Sequence, residues 1–395
     1  MSLNVLYLTM NPNRASTTTP TEGWIRCLRP KGLVPIVATN QRGAFFDWCV
    51  SQGLHTHFVD LPVPDKRRPW RFLQSLWKLR ELVKRHQIDV IHCNEQDIYP
   101  NGQYLARWTR KPVLVSIHFT MTREYCEWAF RGKRQPDRIF FISPGNLEAC
   151  RPAVSGIIDS SRWRMLYNGL DGNHFRIDEQ LRAQFRQEHC IGDGLAIGVA
   201  CALRERKQVE HLFDAAARLP QNIKVVLAGG GVPGEEAYAA ALLERGKRQL
   251  GERLVHVGHL TELRGFYNSL DLFVNTSREE ACSISVLEAM ACGCPVVGYP
   301  SKSVDSQVLP GGGEMVEQDN IDQLASVLRY WLENPERRQA GRLGARRRIE
   351  SEFEIRRVSD QLWTEYLDVA NERRKEPIIA LPTSVTADSF SQVIS

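Results

Sequence analysis

The sequence predicts an α/β protein made of two Rossmann-like, doubly wound parallel-sheet domains facing each other across a cleft. Three observations carry this expectation. At 395 residues the chain is too long for one ordinary hydrophobic core. Short β-branched runs alternate with longer helical patterns, which implies parallel strands covered on both faces. The alternation occurs twice, with a turn-rich stretch between the two series.

In the first series, residues 4–9, 34–39, 89–93, 112–117 and 138–142 read as strands with helices between them. The turn formers of Tyr167-Asn168-Gly169-Leu170-Asp171 suit a connection, so the first domain is expected over residues 1–170. In the second series, residues 195–201, 223–228, 254–257, 272–275 and 295–299 repeat the pattern and place the second domain over 171–355. Beyond Asp319 the sequence is helical and heavily charged. Leu362, Tyr366 and Val369 recur at helical steps, so a last helix over 356–374 is expected to cross back to the first domain. Residues 375–395 lack helical period and contain two prolines, which predicts a mobile tail.

Composition excludes several classes. With 43% apolar and 25% charged residues the chain is an ordinary globular protein, and its longest apolar runs are strand-sized. No run approaches the roughly 18 residues of a membrane span. The start lacks the basic region and cleavage site of a secretory signal, and ten cysteines show no Cys-x-x-Cys pairing, so a reducing cytoplasm and no metal site are expected. Residues 1–175 carry 24 Lys and Arg against 14 Asp and Glu, whereas the remainder is net acidic. The basic half suits an anionic membrane surface at the inner face or a phosphorylated acceptor, and solvated surface charge explains it equally. Nucleic acid is not an expected partner. Between Asp65 and His86 a basic amphipathic helix carries Trp70, Leu73, Leu76, Trp77 and Val83, whose apolar stripe core packing explains more simply than membrane insertion, with interfacial docking left open.

The chemistry concentrates in the second domain. Glu280 is expected in the loop after a buried strand, and Glu288 inside the apolar helix that follows. Open α/β sheets bind ligands beyond the carboxyl ends of their strands. A carboxylate in such a helix needs hydrogen-bond donors, and a sugar diol supplies two. Arg204-Glu-Arg206-Lys207 follows another buried strand. Arg204 and Lys207 are candidates to converge on one anion. Ser283 reads as an N-cap, and the helix beginning at Ile284 is expected to turn free N–H groups toward a diphosphate without a metal. The glycines Gly229-Gly230-Gly231 permit a close ligand approach but lack the dinucleotide spacing. In the first domain, Asn13 to Gly23 reads as a polar loop that offers Thr18, Thr19 and Gly23 to an acceptor. His118 ends a strand and, by itself, is more simply structural.

Together these stretches resemble the retaining, nucleotide-sugar-dependent glycosyltransferases of the GT-B fold, the family 4 or group 1 glycosyltransferases. The most specific segment is Glu280, seven residues, then Glu288-Ala-Met-Ala-Cys-Gly-Cys-Pro-Val. Asn168-Gly169, the strand-ending His118 and Gly258-His259 match as well. The resemblance implies that Glu288 holds ribose hydroxyls, Glu280 the transferred sugar, and Arg204 with Lys207 the diphosphate. It further implies that His118 approaches the donor sugar from the opposite domain and that Gly258 and His259 lie beside the base. The family's Gly-Phe-Gly after the first glutamate is Ala281-Cys282-Ser283 here, and its arginine five positions before the lysine is Ala202.

The expected function is transfer of a hexosyl group from a nucleoside diphosphate sugar, a co-substrate rather than a cofactor, to a hydroxyl acceptor in polysaccharide or glycolipid assembly. A non-catalytic nucleotide-sugar binder and a sugar epimerase on the same architecture are the alternatives.

Overall fold

A computed structural model describes residues 2–11, 17–65 and 67–375. The expected loop residues 13–16 and the tail from residue 376 lie outside the described residues. The chain forms two compact units. Unit 1 comprises residues 1–141, 151–164 and 359–395, and unit 2 comprises 142–150 and 165–358.

Unit 1 is built on β1 (Leu3–Thr9), β2 (Leu33–Thr39), β3 (His55–Phe58), β4 (Val90–Cys93), β5 (Val113–Ile117), β6 (Arg138–Phe141) and β7 (Trp163–Met165), in the order β3-β2-β1-β4-β5-β6-β7. β1 pairs in parallel with β2 on one side and β4 on the other. Strand order therefore reverses between β1 and β4, and the crevice beyond their carboxyl ends is the switch point of this sheet. The central strands are buried on both faces, as helical covering of both sides requires. From Ser359 the last helix, Ile355–Lys375, belongs to this unit. Tyr366 shares hydrogen bonds with His92 Nδ1 at 2.6 Å and Tyr7 Oη at 3.0 Å. Glu365 receives Arg138 and Arg164 at 2.7 and 2.6 Å.

Unit 2 repeats the arrangement with β8 (Ala196–Ala200), β9 (Lys224–Ala228), β10 (Leu254–Gly258), β11 (Leu272–Asn275), β12 (Val296–Gly298) and β13 (Gly313–Met315), in the order β10-β9-β8-β11-β12-β13. All its ladders are parallel. Its switch point lies between β8 and β11. Gly229 has φ +135°, and a Cβ there would meet the Cys201 carbonyl at 1.8 Å. Gly229 is thus required by the neighbouring chain, whereas a Cβ at Gly230 would meet open space.

Three expectations need correction. The outer strands β3, β7 and β13 were not anticipated, because short strands at or near a sheet edge carry no continuous apolar run. Thr18, Thr19 and Gly23 lie within the helix Thr18–Leu28, not in a loop. Pro20 and Thr21 are tolerated in its first turn, and the buried face of Thr18, Trp24 and Ile25 holds it to the sheet. In the basic helix Pro69–Arg85, Leu76 and Val83 are buried, but Trp70, Leu73 and Trp77 are not. Core packing explains only two of the five apolar residues of the expected stripe.

Candidate active site

In unit 2 the strand-to-helix connections at the switch point gather the charged side chains. β8 leads through Cys201 to a 3-10 turn at Glu205–Lys207 and then, after Gln208 at φ 46°, into the helix Val209–Ala217. β11 leads through Thr276 to Cys282 into the helix Ile284–Ala291. The two loops are laced together. Thr276 Oγ1 donates to the Lys207 carbonyl at 2.9 Å, and Arg278 N donates to the Arg206 carbonyl at 2.9 Å.

Lys207 donates to Glu280, and both side chains are largely enclosed. Arg206 approaches the same carboxylate at 4.0 Å. Burial pushes the Cys201 thiol up to about 11, with Lys207 pulling it down and Glu280 pushing it up, so this charge pair sits within electrostatic reach of the end of β8. Arg204, on the same loop, is 42% exposed, and its Nε lies 3.7 Å from Glu235, from the turn before the helix Glu236–Leu250.

Glu288 lies on the partly enclosed side of its helix and accepts from Tyr267 Oη at 2.7 Å. Burial pushes its carboxyl up to about 7, and the tyrosine bond opposes that rise. Burial raises the Tyr267 phenol, and the charge of Glu288 adds to that rise.

The loop that carries Glu280 is braced by side chains from residues 301–307. Glu280 N donates to the Ser301 carbonyl at 2.9 Å, and Ser303 Oγ donates to the carbonyls of Glu280 and Ala281 at 2.6 and 2.9 Å. The fully buried Gln307 accepts from Ser283 N at 2.9 Å and donates to the Ser283 carbonyl at 3.1 Å and to Cys282 Sγ at 3.3 Å. Ser283 is the N-cap by position, but its hydroxyl makes no cap bond and its N–H is already taken. The expected set of free N–H groups therefore begins at Ile284 and not at Ser283. Gln307 and Tyr267 were missed in the sequence because nothing in their spacing links them to Ser283 or Glu288.

At the end of β10, Gly258 takes φ +71° and its carbonyl accepts from Gly229 N at 2.7 Å; His259 beside it is exposed. This pair lies beyond the third strand from the switch point on that side of the sheet.

Unit 1 holds its own polar group at its switch point. Glu95, just beyond β4, accepts from Thr9 Oγ1 at 2.6 Å and from Met10 N at 3.3 Å. Burial pushes its carboxyl up to about 7. Asn94 accepts from Thr21 Oγ1 at 2.6 Å and donates to the Thr17 carbonyl at 3.0 Å. His118 follows β5 directly, is buried, and neither ring nitrogen makes a hydrogen bond. Burial lowers it to about 4, against a pull upward from the Asn94 backbone, so the imidazole is neutral at physiological pH. The Asn94 main chain therefore lies near the ring, which keeps capacity for a further polar partner. Thr18 is buried, Thr19 exposed and Gly23 intermediate.

Fold and site together define a two-unit α/β protein with polar groups gathered at each switch point. The family described as Glycosyltransferase Family 4 matches residues 24–173, and Glycosyl transferases group 1 matches residues 182–348. The chain belongs to the glycosyltransferases of the GT-B fold. It is 26% identical over 227 residues to the O-antigen biosynthesis glycosyltransferase WclY of Escherichia coli, a stretch covering 55% of this chain and 58% of that protein. It is 21% identical over 315 residues to the N-acetyl-alpha-D-glucosaminyl L-malate synthase of Bacillus anthracis, covering 76% of this chain and 80% of that one. Among solved structures, Anabaena Alr3699/HepE in complex with UDP and glucose superposes with a TM-score of 0.81 at 18% identity, covering 93% of this chain and 100% of that chain. That likeness concerns the fold. Among the described residues no helix is long and apolar enough to cross a membrane.

Proposed function

We propose that this protein transfers a hexosyl group from a nucleoside diphosphate sugar to a hydroxyl acceptor with retention at the anomeric carbon, in the assembly of a glycan or glycolipid. The observation that carries this reading is the enclosed Lys207–Glu280 pair at the switch point of unit 2, with Glu288 on the helix that follows Glu280 and held by Tyr267. Lys207 supplies a point charge to the diphosphate, and the exchange frees Glu280 to accept hydrogen bonds from the transferred sugar. Glu288, once ionised, accepts from the ribose diol. In unit 1, His118 offers its ring nitrogens to a sugar hydroxyl. The names of relatives support the setting: one acts in O-antigen biosynthesis, and another is the alpha-monoglucosyldiacylglycerol synthase of Streptococcus pneumoniae.

In the reaction the bond from the anomeric carbon to the diphosphate oxygen breaks as the acceptor oxygen bonds to the same face of that carbon. The acceptor proton passes to the departing diphosphate. Negative charge builds on the departing diphosphate while the anomeric carbon becomes oxocarbenium-like, and Lys207 and the N–H groups from Ile284 onward stabilise the negative charge without a metal. A calorimetric titration with UDP, GDP and ADP, followed by incubation of the binding nucleotide's sugars with lipid-linked and soluble sugar acceptors, tests the proposal. Nucleotide binding with product formation is the expected result; failure of all three nucleotides to bind would refute it.

A further inference from the structure

The helix Pro69–Arg85 of unit 1 has two apolar faces where one suffices for folding. Phe72, Ser75, Leu76, Leu79, Leu82 and Val83 form the buried face. On the outer side Trp70, Leu73 and Trp77 recur at three- and four-residue steps and are 55%, 44% and 58% exposed. The same outer row continues one turn further to Arg80 and then to Lys84, so one line of the helix runs from indole rings to cations. At its carboxyl end these cations open onto a polar depression of about 660 Å³ that also includes Trp108 and Lys111. The Arg80 guanidinium stacks 4.8 Å above the Trp108 ring, which holds it flat at the rim. Glu81 lies 3.5 and 3.6 Å from Arg80 and Lys84 and offsets part of this charge. Arg71 is paired with Asp60 at 2.9 Å, and exposed Lys78, Arg85, Arg107 and Arg110 on the same two helices and their ends leave the region basic.

We infer that this surface docks on an anionic phospholipid bilayer, with Trp70, Leu73 and Trp77 entering the interface and Arg80, Lys84 and Lys111 receiving headgroup phosphates. The chemistry commits to a bilayer. Exposed tryptophans in line with cations match the boundary where acyl chains meet phosphate, and neither a soluble anion nor a polar protein surface would use the indole rings. The depression lies toward the amino ends of β1 and β4, since Ser2, Asn4 and Asp89 line it. Docking there leaves the switch point at the opposite strand ends open. The inference is independent of the donor chemistry proposed above.

Vesicle sedimentation tests it with the full chain. Vesicles of about 30% phosphatidylglycerol in phosphatidylcholine are expected to bind roughly tenfold or more protein than pure phosphatidylcholine, and binding should fall as salt rises. Combined Trp70→Ser, Leu73→Ser and Trp77→Ser substitutions should abolish that binding while leaving the unfolding midpoint and nucleotide titration unchanged. Lys84→Glu with Lys111→Glu should do the same through charge. Equal binding to both vesicle types, or binding that survives either set of substitutions, would overturn the inference. So would displacement by millimolar inorganic phosphate, which would make this a soluble-anion site. Because nucleotide binding is read in the same samples, loss of the donor reading would be seen separately.

Discussion

Lys207 and Glu280, 73 positions apart in the chain, form an ion pair whose side chains are only 13% and 10% exposed. Such a pair is expensive to assemble and expensive to break on one side, since the survivor is left charged and enclosed. In the proposed function this pair, placed beyond β8 and β11, is the one an incoming diphosphate takes over.

Replacing Lys207 with Ala is expected to lower turnover about a hundredfold or more and to weaken nucleoside diphosphate binding, because charge on the leaving group loses its point-charge partner. Glu280→Gln should retain nucleotide binding while lowering turnover. Calorimetry beside product formation separates the two; equal losses of binding in both variants would contradict the division of labour.

Glu288 predicts a pH dependence. Burial raises its carboxyl from 4.5 to about 7, so between those values the folded chain holds a proton that the unfolded chain has lost, and this group's contribution to stability falls as pH rises through the window. A ribose diol donates to the ionised form. Nucleotide affinity is therefore expected to rise roughly tenfold from about pH 6 to about pH 8, with proton release on binding at the lower pH. Glu288→Gln should flatten the profile. His92 and His118, lowered to about 3 and about 4, act on stability with the opposite sign, so the nucleotide titration and not the unfolding midpoint isolates Glu288.

Gln307 braces the Ser283 main chain from both sides. Gln307→Ala leaves a buried N–H and carbonyl without partners, at about 1–3 kcal/mol each. The expected result is a lower unfolding midpoint together with a higher KM for the donor, measured by thermal unfolding and initial rates. An unchanged KM would confine Gln307 to a structural part.

Tyr366 joins the last helix to the first sheet. Neutral His92 can accept from Ser116 Oγ at 3.0 Å through Nε2 and donate through Nδ1 to Tyr366, whose hydroxyl donates to Tyr7. Tyr366→Phe should cost about 1–3 kcal/mol in denaturant unfolding while leaving nucleotide binding at unit 2 intact.

Much of this protein was legible before its structure. Ten strands and the helix carrying Glu288 follow from apolar runs of the right length, because burial on both faces of a parallel sheet is written as local sequence. The positions of Glu280 and Glu288 relative to a strand end and a helix start follow from the same local pattern. Edge strands such as His55–Phe58 and Gly313–Met315 carry no such run and escaped it.

Partnership was decided only in three dimensions. Whether Lys207 or Arg204 meets Glu280, which phenol caps Glu288, and which amide occupies Ser283 N depend on residues between 21 and 73 positions apart being brought within hydrogen-bond range. The same holds for Trp70 and Trp77. Helical spacing placed them in an apolar series, but only the packing of their helix on the sheet determined that Leu76 and Val83 face inward while the two indoles meet solvent. Periodicity records which side chains share a face of an element, and tertiary packing alone selects the face that is covered.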